Sequence, residues 1–392
     1  MNKIYLDNAS TTPLSAEVLS EMMPVLTTDF GNPNSLHSFG RKAKSYIDTA
    51  RERVARALGC KESEVYFTSG ATESNNWAII GLANANKHKG NHIITSKIEH
   101  PSVLEACKKL EKDGFEVTYL DVDEMGFVRI DQLLHYVNSK TILISIMSAN
   151  NEMGVIQNLQ AISNIASEKG IIFHTDATQA VGAISFNVRD MGIKALSMSG
   201  HKINGPKGVG VLYLSEDVVI SPFMNGGEQE FGLRAGTSNV SGIVGLGKAI
   251  EIATRDIMVN NKKLRNMRDY MIKQIMQNVE LAFLNGHSIQ RLPNNINISF
   301  GMVDGESLMC LLDMEGIAVG TGSACSSGSV EPSYVLTSMG IAPDLVQGAI
   351  RISLSKDITK EQIDFVVSKI AECVAKLRKV SAIGKSQVGV KE

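Results

Sequence analysis

Lys202 stands at the end of the short segment Ser197-Met198-Ser199-Gly200-His201-Lys202 and just ahead of the turn Gly205-Pro206-Lys207-Gly208. A lysine held at a strand end is placed to form a Schiff base with an aldehyde. Upstream, Ile171-Ile172-Phe173-His174-Thr175-Asp176 reads as a buried strand that closes on a carboxylate, with Gln179 three residues further on. An amine to hold an aldehyde and an anion to keep a pyridine nitrogen protonated are the pair that pyridoxal phosphate (PLP) needs as an electron sink. Neither residue alone would carry that reading.

Such a cofactor needs a seat for its phosphate. Thr68-Ser69-Gly70-Ala71-Thr72-Glu73-Ser74-Asn75-Asn76 follows the strand-like Val65 to Phe67 and opens a helix. Gly70 lets the backbone come close, and the free amides of Ala71 and Thr72 point at an anion that the helix dipole favours. Ser199 and His201 beside the lysine, and Thr237 of Arg234-Ala235-Gly236-Thr237, are further candidates for phosphate contacts. His100, after the strand His92 to Thr95, is placed to stack on a planar ring or to relay a proton. Asn151, after the strand Thr141 to Ile146, is placed to reach a ring hydroxyl. Singly, these are a capped helix, a turn threonine, a capping histidine and a loop asparagine. Together they lie just past strand ends, where open α/β sheets bind ligands.

The elements that must position these groups are legible as an alternation. Short β-branched or aromatic runs at Val65 to Thr68, His92 to Thr95, Val117 to Leu120, Thr141 to Ile146, Ile171 to His174 and Val209 to Leu214 alternate with helical patterns. That predicts an α/β fold, a mainly parallel sheet with helices on both faces. Apolar residues at three- and four-residue steps predict an amphipathic helix over 41–58, ended by Gly59, and Ile243 to Val279 reads as long helical territory. Beyond about residue 260 the pattern changes to strands at Asn295 to Phe300 and Ala349 to Leu354 and a terminal helix opened by Thr359-Lys360-Glu361-Gln362. A large domain over 15–259 and a smaller α+β domain from 1–14 and 260–392 are expected. The 392 residues exceed what one core usually organises.

Composition narrows the partners. With 39 basic and 41 acidic residues the net charge is -2, so neither nucleic acid nor anionic lipid is advertised. No secretory h-region or membrane-length apolar run is seen, and a cytoplasmic protein is expected. The five cysteines, Cys60, Cys107, Cys310, Cys325 and Cys373, are widely spaced without a C-x-x-C pair, which argues against a disulfide framework or a zinc site. Cys325 differs in lying among the glycines and serines of Gly320 to Ser329. Two decoys fail. Gly242-Ile243-Val244-Gly245-Leu246-Gly247-Lys248-Ala249 has alanine where a P-loop needs a hydroxyl, and Gly205-Pro206-Lys207-Gly208-Val209-Gly210 feeds a strand where a dinucleotide motif feeds a helix.

Tyr5-Leu6-Asp7-Asn8-Ala9, Gly31 to His37, Phe67 to Asn76, Asn150-Asn151-Glu152, His174 to Gln179, Ser199-Gly200-His201-Lys202 and Gly322 to Gly328 resemble, in order, the NifS/IscS-type cysteine desulfurases. The resemblance runs from residue 4 to about 355. It implies the aspartate-aminotransferase type of PLP fold and a homodimer. By matching position, Lys202 would carry PLP as a Schiff base, Asp176 pair with the pyridine nitrogen and His100 stack on the ring. Asn151 and Gln179 would meet the ring oxygen side. Ala71, Thr72, Ser199 and His201 would bind phosphate, with Thr237 supplied by the second subunit. Arg351 of Ile350-Arg351-Ile352 would grip the substrate carboxylate, a task a guanidinium fork suits.

The implied reaction takes sulfur from L-cysteine, leaving alanine and a persulfide on Cys325 for an iron–sulfur scaffold or another sulfur-acceptor protein. The freed Lys202 amine would take the Cα proton, and His100 is the candidate acceptor for the Cys325 thiol proton. The Gly/Ser-rich loop would carry the persulfide between the cofactor pocket and the acceptor. No intrinsic metal is expected, with Cys325 a candidate transient iron–sulfur ligand. Relatives often have serine in place of Gly320. A selenocysteine lyase or small-molecule aminotransferase of the same fold would share Lys202 and Asp176 but have no need of Cys325.

Overall fold

A computed structural model describes residues 3–255, 257–321 and 332–380. Strand β1 (Ile4–Tyr5) opens the chain, and the main sheet is built from β2 (Val65–Thr68), β3 (His92–Ser96), β4 (Glu116–Leu120), β5 (Thr141–Ser145), β6 (Ile172–Asp176), β7 (Ala195–Ser199) and β8 (Gly210–Leu214). Their order across the sheet is β2-β8-β7-β6-β5-β3-β4. β4, β3, β5, β6 and β7 run parallel, while β8 is antiparallel to both β7 and β2. The expected mainly parallel α/β sheet is therefore present. Every residue of β2, β3, β5, β7 and β8 is buried, as strands covered by helices on both faces require.

Burial explains why β7 is the least legible strand. Its Ala-Leu-Ser-Met-Ser sequence carries two serines into the core. Ser197 Oγ is satisfied there by His174 Nε2 at 2.9 Å, and His174 Nδ1 meets Ser145 Oγ at 2.9 Å, so the polar groups of three adjacent strands satisfy one another. β7 ends directly in the single 3₁₀ turn Gly200–Lys202, which presents the lysine past the sheet edge.

The helix expected over 41–58 spans Ser38–Leu58. It begins three residues earlier because His37 Nδ1 caps it by accepting the Gly40 N–H at 3.3 Å. It ends at Gly59, whose φ of 71° is a left-handed conformation that favours glycine. Against it packs the helix Val240–Arg255, which contains the glycine-rich decoy. A Cβ on Gly247 would stand 2.7 Å from the Ala50 Cα, so this glycine serves close helix packing and no phosphate. The helical territory from Ile243 continues as a second helix, Ile257–Asn278.

A second apolar cluster gathers Ile4, Leu6, Met271, Ile296, Ile350 and Val366. Here β9 (Ala282–Leu284), β10 (Asn295–Phe300) and β12 (Ala349–Ser353) form an antiparallel sheet in the order β12-β10-β9, and β1 pairs in parallel with β11 (Ile317–Ala318). The terminal helix Lys360–Val380 starts from the expected capping box: Gln362 N–H donates to Thr359 Oγ1 at 3.3 Å, and Thr359 N–H donates to Gln362 Oε1 at 3.0 Å. No helix among the described residues is long and apolar enough to cross a membrane.

One buried ion pair holds an unusual backbone. Glu230 and Phe231 have φ of 45° and 58°, a conformation costing about 1–3 kcal/mol for each non-glycine residue. The Glu230 carboxylate accepts two 3.0 Å bonds from Arg51 and one of 2.9 Å from the Phe67 N–H. The Arg51 guanidinium lies between the Phe67 and Phe231 rings, 4.7 and 5.2 Å from their centroids. Replacing Arg51 alone leaves Glu230 charged and buried, so Arg51→Met should lower unfolding free energy by about 3–5 kcal/mol. The double variant with Glu230→Gln should lose less. Equal losses in denaturant titrations would show that the pair does not work as a unit.

Candidate active site

The carboxyl ends of β2, β3, β5, β6 and β7 converge on one cavity of about 520 Å³, in the size range of small-molecule pockets. Ala71, Thr72, His100, Asn151, Asp176, Gln179, Ser199, His201, Lys202 and Arg351 all line it, although they span nearly three hundred positions of chain. Thr237 does not line it and is exposed. Cys325 lies outside the described residues, as do the rest of 322–331 and the tail from 381.

Asp176 closes β6 and is buried, and its carboxylate is satisfied from two directions. Asn75 Nδ2 donates to Oδ2 at 2.7 Å, and the Thr178 N–H donates to Oδ1 at 2.9 Å. Next to it, Glu99 is pushed up to about 8, by burial first and also by the Asp176 charge, against hydrogen bonds from Ser96 and the Met147 N–H. Glu99 therefore holds its proton at neutral pH. His100 caps the helix Pro101–Lys112, and burial lowers its pKa, with Asp176 pulling the other way and Lys202 adding to the decrease. His201 is lowered to about 4 by burial and by the cations Lys202 and Lys207, so its ring is neutral at pH 7.

The Lys202 amine donates to the carbonyl oxygens of Ala9 at 2.5 Å and Ser10 at 2.7 Å. Gln179 Nε2 donates to the same Ala9 oxygen at 2.9 Å. Arg351, in the middle of β12 and buried, donates through Nη2 to Asp7 Oδ1 at 2.9 Å and Ser10 Oγ at 2.7 Å, and through Nη1 to the Asn151 carbonyl at 3.1 Å. Four buried polar atoms on the cavity wall, Asn75 Oδ1, Asn151 Oδ1, Thr178 Oγ1 and Arg351 Nε, lack a protein partner. A polar guest would satisfy groups that are costly to bury unpaired. A Cβ on Gly70 would point toward Ser199, 3.8 Å from its Oγ, so Ser199 and the start of the helix Ala71–Asn76 face each other as two sides of a cradle. A buried anion, a primary amine and an N–H-lined cradle in one cavity fit a PLP-sized cofactor.

Sequence reasoning missed three contributors. Asn75 and Ser102 line the cavity from two helices, where nothing in the chain marks them apart from ordinary helix residues. Asp7 stood within a quoted motif but was given no role. It matters for Gly320 too, because a Cβ there would come within 2.6 Å of Asp7 Oδ1 and 2.9 Å of Arg351 Nη2. Four other cysteines are described, and none lines the cavity. Burial pushes Cys60 and Cys107 up to about 12.

The chain matches the family described as Aminotransferase class-V over residues 4–366. It is 50% identical over 380 residues to the cysteine desulfurase IscS of Methanosarcina thermophila, covering 97% of this chain and 94% of that one. A solved structure titled NifS-like protein superposes with a TM-score of 0.90 at 39% identity, covering 95% of this chain and all of the other. The structure titled SspA in complex with cysteine superposes with a TM-score of 0.79 at 37% identity, covering 90% and 98%. The fold and site are thus those of a PLP-dependent enzyme of the aminotransferase type. The chain belongs to the class-V aminotransferase family and, within it, to the cysteine desulfurases.

Glu152 gives the site a pH signature. It is fully buried, accepts the Ser333 hydroxyl at 2.5 Å, and is pushed up to about 7 by burial, against the pull of Ser333 and the Arg351 charge. The native state keeps this proton to about pH 7, while the unfolded chain releases it near 4.5. Its stabilising contribution is full below pH 4.5 and is lost as pH rises through 7. Denaturant midpoints of Glu152→Gln should therefore fall less than those of the parent between pH 4.5 and 8, and parallel falls would refute the assignment.

Proposed function

We propose that this enzyme removes sulfur from L-cysteine with Lys202, Asp176, His100 and Arg351 as its cavity machinery and Cys325 as the sulfur acceptor. The convergence of Lys202, Asp176 and Arg351 on one cavity carries the reading, and kinship to cysteine desulfurases supplies the substrate. Bound in the cavity, PLP would supply an aldehyde that holds an amino group and a protonated ring that draws electrons from Cα. Asp176 would pair with the ring nitrogen, His100 would lie against the ring, and Gln179 and Asn151 would meet its oxygen side. The N–H groups of Ala71 and Thr72, with Ser199 and His201, receive the phosphate. Thr237, exposed and absent from the lining of its own cavity, would reach that of a second copy in a homodimer.

Lys202 has two tasks. Its amine would hold the cofactor aldehyde and, when free, would take the Cα proton; the Ala9 and Ser10 carbonyls give its ammonium form a place to rest. Arg351, on the cavity wall with Asn151 beside it, would receive the substrate carboxylate. The Cys325 thiolate attacks the substrate sulfur, the bond between that sulfur and Cβ breaks, and its electron pair stays with the carbon skeleton, which leaves as alanine after protonation. The persulfide on Cys325 then passes to an acceptor protein, an iron–sulfur scaffold or another. A selenocysteine lyase or aminotransferase would not depend on Cys325.

With L-cysteine and a thiol reductant, the parent enzyme should release alanine and sulfide, and Cys325→Ser should fall to background. Lys202→Ala should lose at least about 10²–10⁴-fold, the weight of a positioned acid–base group. Undiminished product from Cys325→Ser would reject the persulfide route in favour of the alternatives. Gly320→Leu, whose side chain is larger than the serine relatives often carry there, should displace Asp7 and Arg351 and raise KM for L-cysteine roughly tenfold, the equivalent of about 1.4 kcal/mol, with kcat little changed. An unchanged KM would detach Arg351 from carboxylate binding.

A further inference from the structure

The hydrogen bonds along the cavity wall have a direction, and it starts from Asp176. A carboxylate only accepts, so the 2.7 Å contact from Asn75 fixes that amide with its Nδ2 toward Asp176 Oδ2. A flipped amide would set Oδ1 against the anion. The second Nδ2 hydrogen points at Ser102 Oγ, 2.9 Å away. Asn75 is completely buried, and its Oδ1 has no partner, so both of its donors are spent on these two contacts.

Ser102 Oγ already accepts from Asn75, and its own proton is therefore available to His100 Nδ1, 2.8 Å away. The Ser102 backbone N–H donates to the same ring nitrogen at 3.1 Å. Two donors thus converge on Nδ1, which must be unprotonated to receive them. A neutral imidazole then carries its hydrogen on Nε2. His100 lines the cavity, and Nε2 is the ring nitrogen left for whatever occupies it.

We propose that Asn75 and Ser102 are positioning residues that fix His100 as the Nε2–H tautomer, so that it meets bound substrate as a hydrogen-bond donor. The inference rests on the cysteine desulfurase reading only for what fills the cavity. Burial favours the neutral ring, consistent with a histidine that does not need to be charged to do this. The group it suits is an acceptor, such as an ionised substrate sulfur or a cofactor oxygen. It also follows that the neutral ring has no free lone pair toward the cavity. The Cys325 proton, expected from sequence to pass to His100, would then leave by another base. Through the chain Asp176, Asn75, Ser102, His100, the anion proposed to pair with the pyridine nitrogen would also orient the His100 ring.

The test is solid-state ¹⁵N NMR of ring-labelled histidine in the cofactor-free full-length protein at neutral pH, with the His100 signals assigned as those lost in His100→Gln. The expected result is an unprotonated, strongly hydrogen-bonded Nδ1 and a protonated Nε2. A protonated Nδ1 would overturn the proposal. In Ser102→Ala the Nδ1 signal should move toward the value of a more weakly hydrogen-bonded nitrogen, Ser102→Thr should restore it, and Asn75→Ala should shift it the same way by less. Ring shifts unchanged in both alanine variants would reject a positioning role. No cofactor or substrate is present in this measurement, so its outcome is independent of whether the enzyme desulfurates cysteine.

Discussion

The buried carboxylate of Asp176 is the constraint around which the cavity is organised. An anion removed from water is tolerable only when donors replace the lost hydration. Here the donors come from two separate places, the Asn75 side chain on the helix after β2 and the Thr178 N–H two residues past the end of β6. Satisfying one charge therefore locks a helix against a strand end that is distant in sequence. Nearby Glu99, which could compete as a second anion, keeps its proton because its own burial is complete.

A second organising element is the short segment from Asp7 to Thr12. Ala9 and Ser10 receive the Lys202 amine, Ala9 receives Gln179, Thr11 Oγ1 meets His201 Nδ1 at 3.1 Å, and Asp7 with Ser10 receives Arg351. The same stretch is tied to β12 through the Ser353 hydroxyl, which accepts the Ala9 N–H at 2.8 Å. The groups proposed to hold cofactor, phosphate and substrate carboxylate thus share one backbone support. Rigid support of this kind is what converts correct residue types into correct geometry. Gly320 belongs to the same arrangement, since any side chain there would press on Asp7 and Arg351.

Much of this was legible in the chain because the relevant physics is local. Apolar steps of three and four marked the helix ending at Gly59, β-branched runs marked most of the main sheet, and Thr359 with Gln362 announced the last helix. The alternation of elements was enough to place a strand-end aspartate and a strand-end lysine on one cavity. β7 was harder, because its serines satisfy His174 across the sheet and so break the apolar signal of a core strand. Asn75, Ser102 and Asp7 were not legible as functional residues, because their roles exist only across long sequence separations. The Asn75 to Asp176 bond closes about a hundred residues, and Asp7 to Arg351 closes most of the chain. Antiparallel β8 likewise depends on pairing partners that a strand's own composition does not name.

The most direct measurement of the central claim is peptide mass spectrometry of holoenzyme mixed with one equivalent of L-cysteine, quenched with an alkylating agent after a single turnover. The expected result is one extra sulfur atom on the peptide bearing Cys325, matched by one equivalent of alanine, with the peptides of Cys60, Cys107, Cys310 and Cys373 carrying no added sulfur. Alanine released in full while the added sulfur sits on another cysteine, or on none, would contradict it.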